Sequence, residues 1–181
     1  MPDMLDALKA AADEAVAANN LPVVAETTAK MIRESYAAPR PTIYEAILGY
    51  GQALKDSPEY CEVVLDAASI ALHRAPPARI KEATTLLFTT AEAMKDSHSY
   101  EVANVMLGII HRNSRTHPTA IAALDMLKEV VPAISKKEGA EKAAYIIEAL
   151  QQVAWRDANP FPLFLQPCAV LHEVQPKAAT P

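Results

Sequence analysis

The fold class is decided most clearly by residues 98–113, HSYEVANVMLGIIHRN. Within this stretch the apolar residues recur every three or four positions, which places them on one stripe of an α-helix. A half-buried strand would instead alternate apolar and polar residues. The stretch therefore predicts an amphipathic helix with one buried face. The predicted stripe consists of Val102, Val105, Met106, Ile109 and Ile110.

The same period recurs along most of the chain, including residues 60–71 and 143–153. The 14 prolines separate these patterns, because proline is tolerated in the first turn of a helix and breaks its interior. Aromatic residues make up only 6% of the sequence, whereas a β-sandwich would favour more of them. We therefore predict an all-α protein of eight helices, near residues 3–19, 22–36, 42–55, 58–74, 78–95, 98–113, 118–131 and 136–156.

Consecutive helices pair into four predicted antiparallel hairpins, which begin near residues 3, 41, 77 and 118. Short identities recur at about the same interval: the segment KDS at 55–57 with Tyr60 is matched by KDS at 95–97 with Tyr100. This recurrence favours a short α-solenoid-like repeat stack, in which each helix pair buries its apolar stripe against the next. A compact helical bundle is the alternative, because alanine-rich helices resemble one another by chance.

The composition changes near residue 158. We expect residues 1–157 to form one helical-repeat domain, and residues 158–181 to form an extended C-terminal arm, because five prolines exclude a long helix there. The arm is nevertheless apolar, which predicts that it lies in a groove, either on its own chain or on a neighbouring subunit. Its candidate contact residues are Phe161, Leu163, Phe164 and Leu165.

Signals for membrane insertion, catalysis and metal binding are absent from the sequence. No apolar run approaches the roughly 18 residues of a membrane span, so we expect a cytoplasmic protein with no membrane partner. There is no glycine-rich phosphate loop, no G-x-S-x-G segment and no H-E-x-x-H segment. Cys61 and Cys168 follow no disulfide or metal pattern. We therefore expect no catalytic residue, no metal site and no cofactor.

The seven arginines lie near the end of the second helix of a hairpin or in the turn that follows it. In a stack of hairpins these turns would line one edge. Four of them are explained by the macrodipole, since a cation near a helix C-terminus is stabilised by about 0.3–1 kcal/mol. Arg40, Arg79 and Arg115 instead precede the next helix, where a cation is mildly unfavourable. These three are therefore the candidates for binding an anionic partner.

These observations lead to three functional hypotheses. The first is a non-enzymatic structural subunit or scaffold, which binds a protein partner within a larger assembly through its helical-repeat surface and its arm. The second is binding of nucleic acid or another polyanion through the arginine edge, although the net charge of −5 argues weakly against it. The third is a helical enzyme or ligand pocket without a recognisable motif. The first is favoured by the architecture, and it is compatible with a homo-oligomer.

Overall fold

The prediction of an all-α fold is confirmed. The computed structural model describes residues 3–113, 117–137 and 139–156, with side chains up to residue 152, and the described residues contain eight α-helices and no strand. Short 3₁₀ turns at Pro58–Tyr60 and Pro77–Arg79 lead into the fourth and fifth helices. The helices are α1 (Met4–Ala17), α2 (Leu21–Ser35), α3 (Pro41–Leu54), α4 (Cys61–Arg74), α5 (Ile80–Met94), α6 (Ser99–Arg112), α7 (Pro118–Lys137) and α8 (Ala140–Arg156).

The seventh helix is longer than predicted. The sequence pattern ended it at residue 131, because Pro132 lacks the N–H group that an interior helical residue donates. In the structure α7 continues through Pro132 to Lys137. The apolar side chains around the proline explain this, because burying each contributes about 1.5–3 kcal/mol and together they outweigh a cost of about 3 kcal/mol for the proline. The buried side chains next to it are Val130, Val131 and Ile134.

The eighth helix begins later than predicted, at Ala140 instead of near residue 136. Gly139, directly before it, has a φ of +101°. This left-handed conformation cannot continue α7 and is accessible to glycine without steric cost. The glycine therefore separates α7 from α8.

The chain divides into two compact units, Met1–Ala93 and Met94–Pro181. In the first unit, α1 packs on α2 and α3, α2 also packs on α3 and α4, and α3 packs on α4. Each of these helices therefore contacts both its neighbour in sequence and the next helix but one, an arrangement that fits a bundle and a repeat stack alike. Large side chains that are almost fully buried in this unit include Leu5, Met31, Ile47, Leu65 and Leu87.

In the second unit, α6 packs on α7 and α8, and α7 packs on α8. The stripe predicted for α6 is buried except at Val105, which is half-buried. The matching stripe of α8 is buried at Ile146, Ile147 and Leu150. The division between the units falls at the end of α5, so α5 and α6, which were predicted as one hairpin, are assigned to different units. No helix among the described residues is both long enough and apolar enough to cross a membrane.

Candidate interaction site

An open cleft of about 300 Å³ lies between α6 and α8 in the second unit. Its walls follow from helical periodicity, because residues three, four and seven positions apart share one face of a helix. Helix α6 contributes Asn104, Leu107, Gly108, His111 and Arg112. Helix α8 contributes Tyr145, Ala149 and Gln152.

The cleft combines apolar and polar groups. Leu107 is buried, with 8% of its surface exposed, and Gly108 and Ala149 are half-buried. The space at Gly108 is open, because a Cβ atom added there would meet no atom within 4 Å apart from the adjoining backbone of its own helix. The polar side chains of Asn104 and Gln152 are exposed, one on each helix. The cleft can therefore accept an apolar side chain while the two amides hydrogen-bond to the backbone that carries it.

Two of the residues that line the cleft, Tyr145 and Arg112, are of types that are common in protein interfaces. The Tyr145 side chain is 55% exposed, although a tyrosine has a large apolar ring that gains from burial. Arg112 is exposed in the last turn of α6, where the helix dipole favours a cation, as the sequence predicts. Tyrosine and arginine are enriched in protein interfaces and carry much of their binding energy.

Arg40, a predicted anion-binding residue, is paired with two carboxylates of the first unit. Its Nη2 lies 2.8 Å from Oδ2 of Asp3, and its Nη1 lies 3.0 Å from Oδ1 of Asp6. Asp3 also caps α1, where its carboxylate accepts a hydrogen bond from the N–H of Leu5 at 3.3 Å. The acidic N-terminal turn of α1 therefore offsets the unfavourable position of a cation before α3.

Arg79 also has an acidic partner, one helical turn away. Its Nη2 lies 2.9 Å from Oε1 of Glu82, and its Nε lies 2.8 Å from Oε2. An external anion would have to compete with the carboxylates at both Arg79 and Arg40. The remaining predicted site residues lie outside the described residues, namely Arg115, Phe161, Leu163, Phe164 and Leu165.

Three of the tyrosines, Tyr44, Tyr50 and Tyr145, lie in different surroundings. Tyr44 and Tyr50 are almost fully buried, and their hydroxyls donate to the carbonyl of Ser35 at 3.1 Å and to the carboxylate of Asp13 at 2.7 Å. Burial raises the pKa of Tyr50 far above its ordinary range, and the bond to Asp13 raises it further. This opposes proton transfer by Tyr50 near neutral pH. Among these three tyrosines, Tyr145 alone lines the cleft.

The surroundings of Cys61 and the placement of possible metal ligands bear on the chemistry that the described residues could perform. Burial raises the pKa of the Cys61 thiol, which opposes formation of a reactive thiolate. Within residues 3–113, 117–137 and 139–156, no group of three or more His, Cys, Asp or Glu side chains is placed to hold a metal ion. Comparison of the chain with protein-family models, with curated proteins and with solved structures finds no match.

The sequence reasoning missed the cleft. The sequence pattern identifies the apolar stripe of α6 and predicts nothing about the opposite face of that helix. Two signals were available: a glycine, Gly108, interrupts a helical pattern, and an aromatic residue, Tyr145, lies off the apolar stripe of its helix. Neither signal shows that these two residues face the same space, because that depends on how α6 packs against α8.

Proposed function

We propose that this protein is a non-enzymatic interaction subunit, which binds an extended segment of a protein partner in the α6–α8 cleft. The observation that carries the proposal is that the exposed Tyr145 and Arg112 line one cleft together with the half-buried Ala149 and the buried Leu107. An aromatic and an arginine next to an apolar surface is the typical composition of an interface centre.

The shape of the cleft supports a polypeptide over a small metabolite. Sites for small molecules enclose most of the ligand, usually in about 300–1,000 Å³. This cleft is at the lower limit of that range, at about 300 Å³, and it is open. An extended segment needs only a trough with donors and acceptors along it, because its side chains alternate between the trough and solvent. We further propose that the protein acts as a cytoplasmic scaffold whose helices stack as a short repeat.

Partner retention by matched variants tests this function. In affinity purification from the cells that produce the protein, Tyr145→Ala combined with Arg112→Ala should abolish retention of the partner. The control is Tyr36→Ala combined with Arg74→Ala, which removes a tyrosine that is 61% exposed and an exposed arginine at the end of α4. We expect the control to retain the partner. Equal retention by the two double variants would exclude the cleft as the binding site.

A further inference from the structure

We propose that the α6–α8 cleft is occupied by this chain's own residues 160–165, PFPLFL, until a partner segment displaces them. This inference rests on the proposed function, because it names the first occupant of the same site. It commits to an intramolecular contact, as opposed to exchange with a second copy.

Chain length places the segment within reach of the cleft. Helix α8 ends at Arg156, and the cleft residues Gln152 and Tyr145 precede that end. At a rise of about 1.5 Å per residue, they lie about 6 and about 16 Å back along the helix axis. An extended chain covers about 3.3 Å per residue, so residues 157–165 reach about 30 Å once they turn back along α8. The chain is therefore long enough for Phe161 and Phe164 to reach the cleft.

The chemistry of the segment matches that of the cleft. Proline favours an extended polyproline conformation, which has no internal hydrogen bonds and docks on aromatic surfaces. Tyr145 offers such a surface, and Leu107 and Ala149 offer apolar contacts for the phenylalanine rings. Asn104 and Gln152 offer a donor and an acceptor to the backbone from opposite helices.

The covalent link makes even a weak contact sufficient. A short linker gives the attached segment an effective concentration on the order of millimolar at its site. A free peptide of the same sequence with a dissociation constant of about 0.1 mM would therefore be about 90% bound when attached. A partner must compete with this occupancy, so the segment reduces the apparent affinity for the partner about tenfold.

The test measures protection of the cleft in the full chain. The reporter is Ala149→Cys, with Cys61→Ser and Cys168→Ser to remove the native thiols, and the readout is the rate of labelling by a maleimide. Phe161→Asp combined with Phe164→Asp should raise that rate about tenfold, because the docked form is about 90% populated. A second reporter, Ala53→Cys, at an exposed position of α3, should not respond.

Two controls define the occupant, and one substitute variant covers loss of the fold. Val170→Asp combined with Val174→Asp changes the same number of apolar residues outside the segment and should leave the rate low. Dilution from about 100 to about 1 μM should not change protection, because an intramolecular contact does not depend on concentration. If the double aspartate variant loses its helical circular dichroism, Tyr145→Ala replaces it, and the same tenfold rise is expected.

The outcomes separate this inference from the proposed function. Equal labelling with and without the aspartates would overturn the docked segment, while partner retention through Tyr145 and Arg112 would still stand. Loss of protection on dilution would assign the segment to a second copy. Release by the Val170 and Val174 substitutions would assign a different part of the arm. Conversely, the labelling rate could respond as expected while the Tyr145 and Arg112 double variant still retains the partner. That result would overturn the proposed function alone.

Discussion

Arg40 and Asp3 join the N-terminal ends of α3 and α1, with 2.8 Å between Nη2 and Oδ2. The arginine side chain is 34% exposed and the aspartate is 52% exposed, so water screens the pair. Asp6 adds a second contact at 3.0 Å, which makes the cluster more favourable than a single surface pair. The pair gives Arg40 a structural reason for its position, independent of any anionic ligand.

We expect Arg40→Ala to loosen the start of α1. Loss of both pairs should reduce the free energy that protects the first turns of α1 from hydrogen exchange by about 0.5–1 kcal/mol. Exchange measured by mass spectrometry on peptides from α1 checks this, with Arg74→Ala as the control. On a polyanion column at low salt, the two variants should elute together. Earlier elution of Arg40→Ala with unchanged exchange in α1 would instead favour the polyanion hypothesis.

Tyr50→Phe should change how stability depends on pH. Two hydrogen bonds lower the pKa of Asp13 in the folded protein. The bond that Lys9 donates has the larger effect, and the bond that Tyr50 donates lowers the pKa further. A lowered carboxylate pKa contributes stability above the unfolded-state value of about 3.9, and that stability is lost as the pH falls through the folded-state value. Tyr50→Phe should therefore cost about 1 kcal/mol at neutral pH, and this difference from the unmodified protein should shrink on acidification.

Tyr44→Phe is the matched control for that measurement. Its hydroxyl donates to the backbone carbonyl of Ser35, which does not titrate. We expect a similar loss of about 1 kcal/mol in the free energy of unfolding, with no change between neutral and acid conditions. Urea denaturation at several pH values compares the two variants. A parallel pH dependence for Tyr44→Phe and Tyr50→Phe would refute the role given to Asp13.

Two glycines of α3 should respond to alanine in opposite ways. A Cβ atom on Gly51 would lie 3.1 Å from the Cβ of Ala67 and 3.3 Å from Cδ2 of Leu86. The Leu86 side chain can rotate away, but the Cβ of Ala67 moves only with the backbone of α4. Gly51→Ala should therefore destabilise the protein by about 1–3 kcal/mol through overpacking.

Gly49→Ala provides the comparison on the same helix. A Cβ atom there meets nothing within 4 Å, and the position is exposed. Alanine has a higher helix propensity than glycine, so this variant should gain about 0.5–1 kcal/mol. Thermal unfolding compares the stability of the two variants with that of the unmodified protein. Stabilisation by Gly51→Ala would mean that α4 and α5 do not approach α3 as closely as the structure shows.

The regular part of the fold could be predicted from the sequence because it depends on local periodicity. The stripe from Val102 to Ile110 specifies both the helix and its buried face, and the structure confirms them. The end of α7 was predicted wrongly at Pro132, because the cost of a proline inside the helix is outweighed by burial of Val131 and Ile134. Propensity is a weak guide wherever tertiary packing supplies more free energy.

The candidate site could not be predicted in the same way. The partner of Arg40 is 37 residues away in sequence, and only the packing of α1 against α3 brings Asp3 to it. Likewise, Gly108 and Tyr145 belong to different helices and line the same cleft because α6 packs against α8. Local patterns identify helices and their faces, whereas a site between two helices depends on which polar faces are left side by side.

Photo-crosslinking from position 145 shows whether the α6–α8 cleft holds a polypeptide. A benzoylphenylalanine in place of Tyr145 should form adducts with residues 160–165 of the same chain. With Phe161→Asp and Phe164→Asp, the adducts should shift to a partner segment, and mass spectrometry identifies both. The same probe in place of Tyr36, which is 61% exposed, should form far fewer adducts. Equal yields from the two positions would mean that the cleft attracts no polypeptide, neither residues 160–165 nor a partner segment.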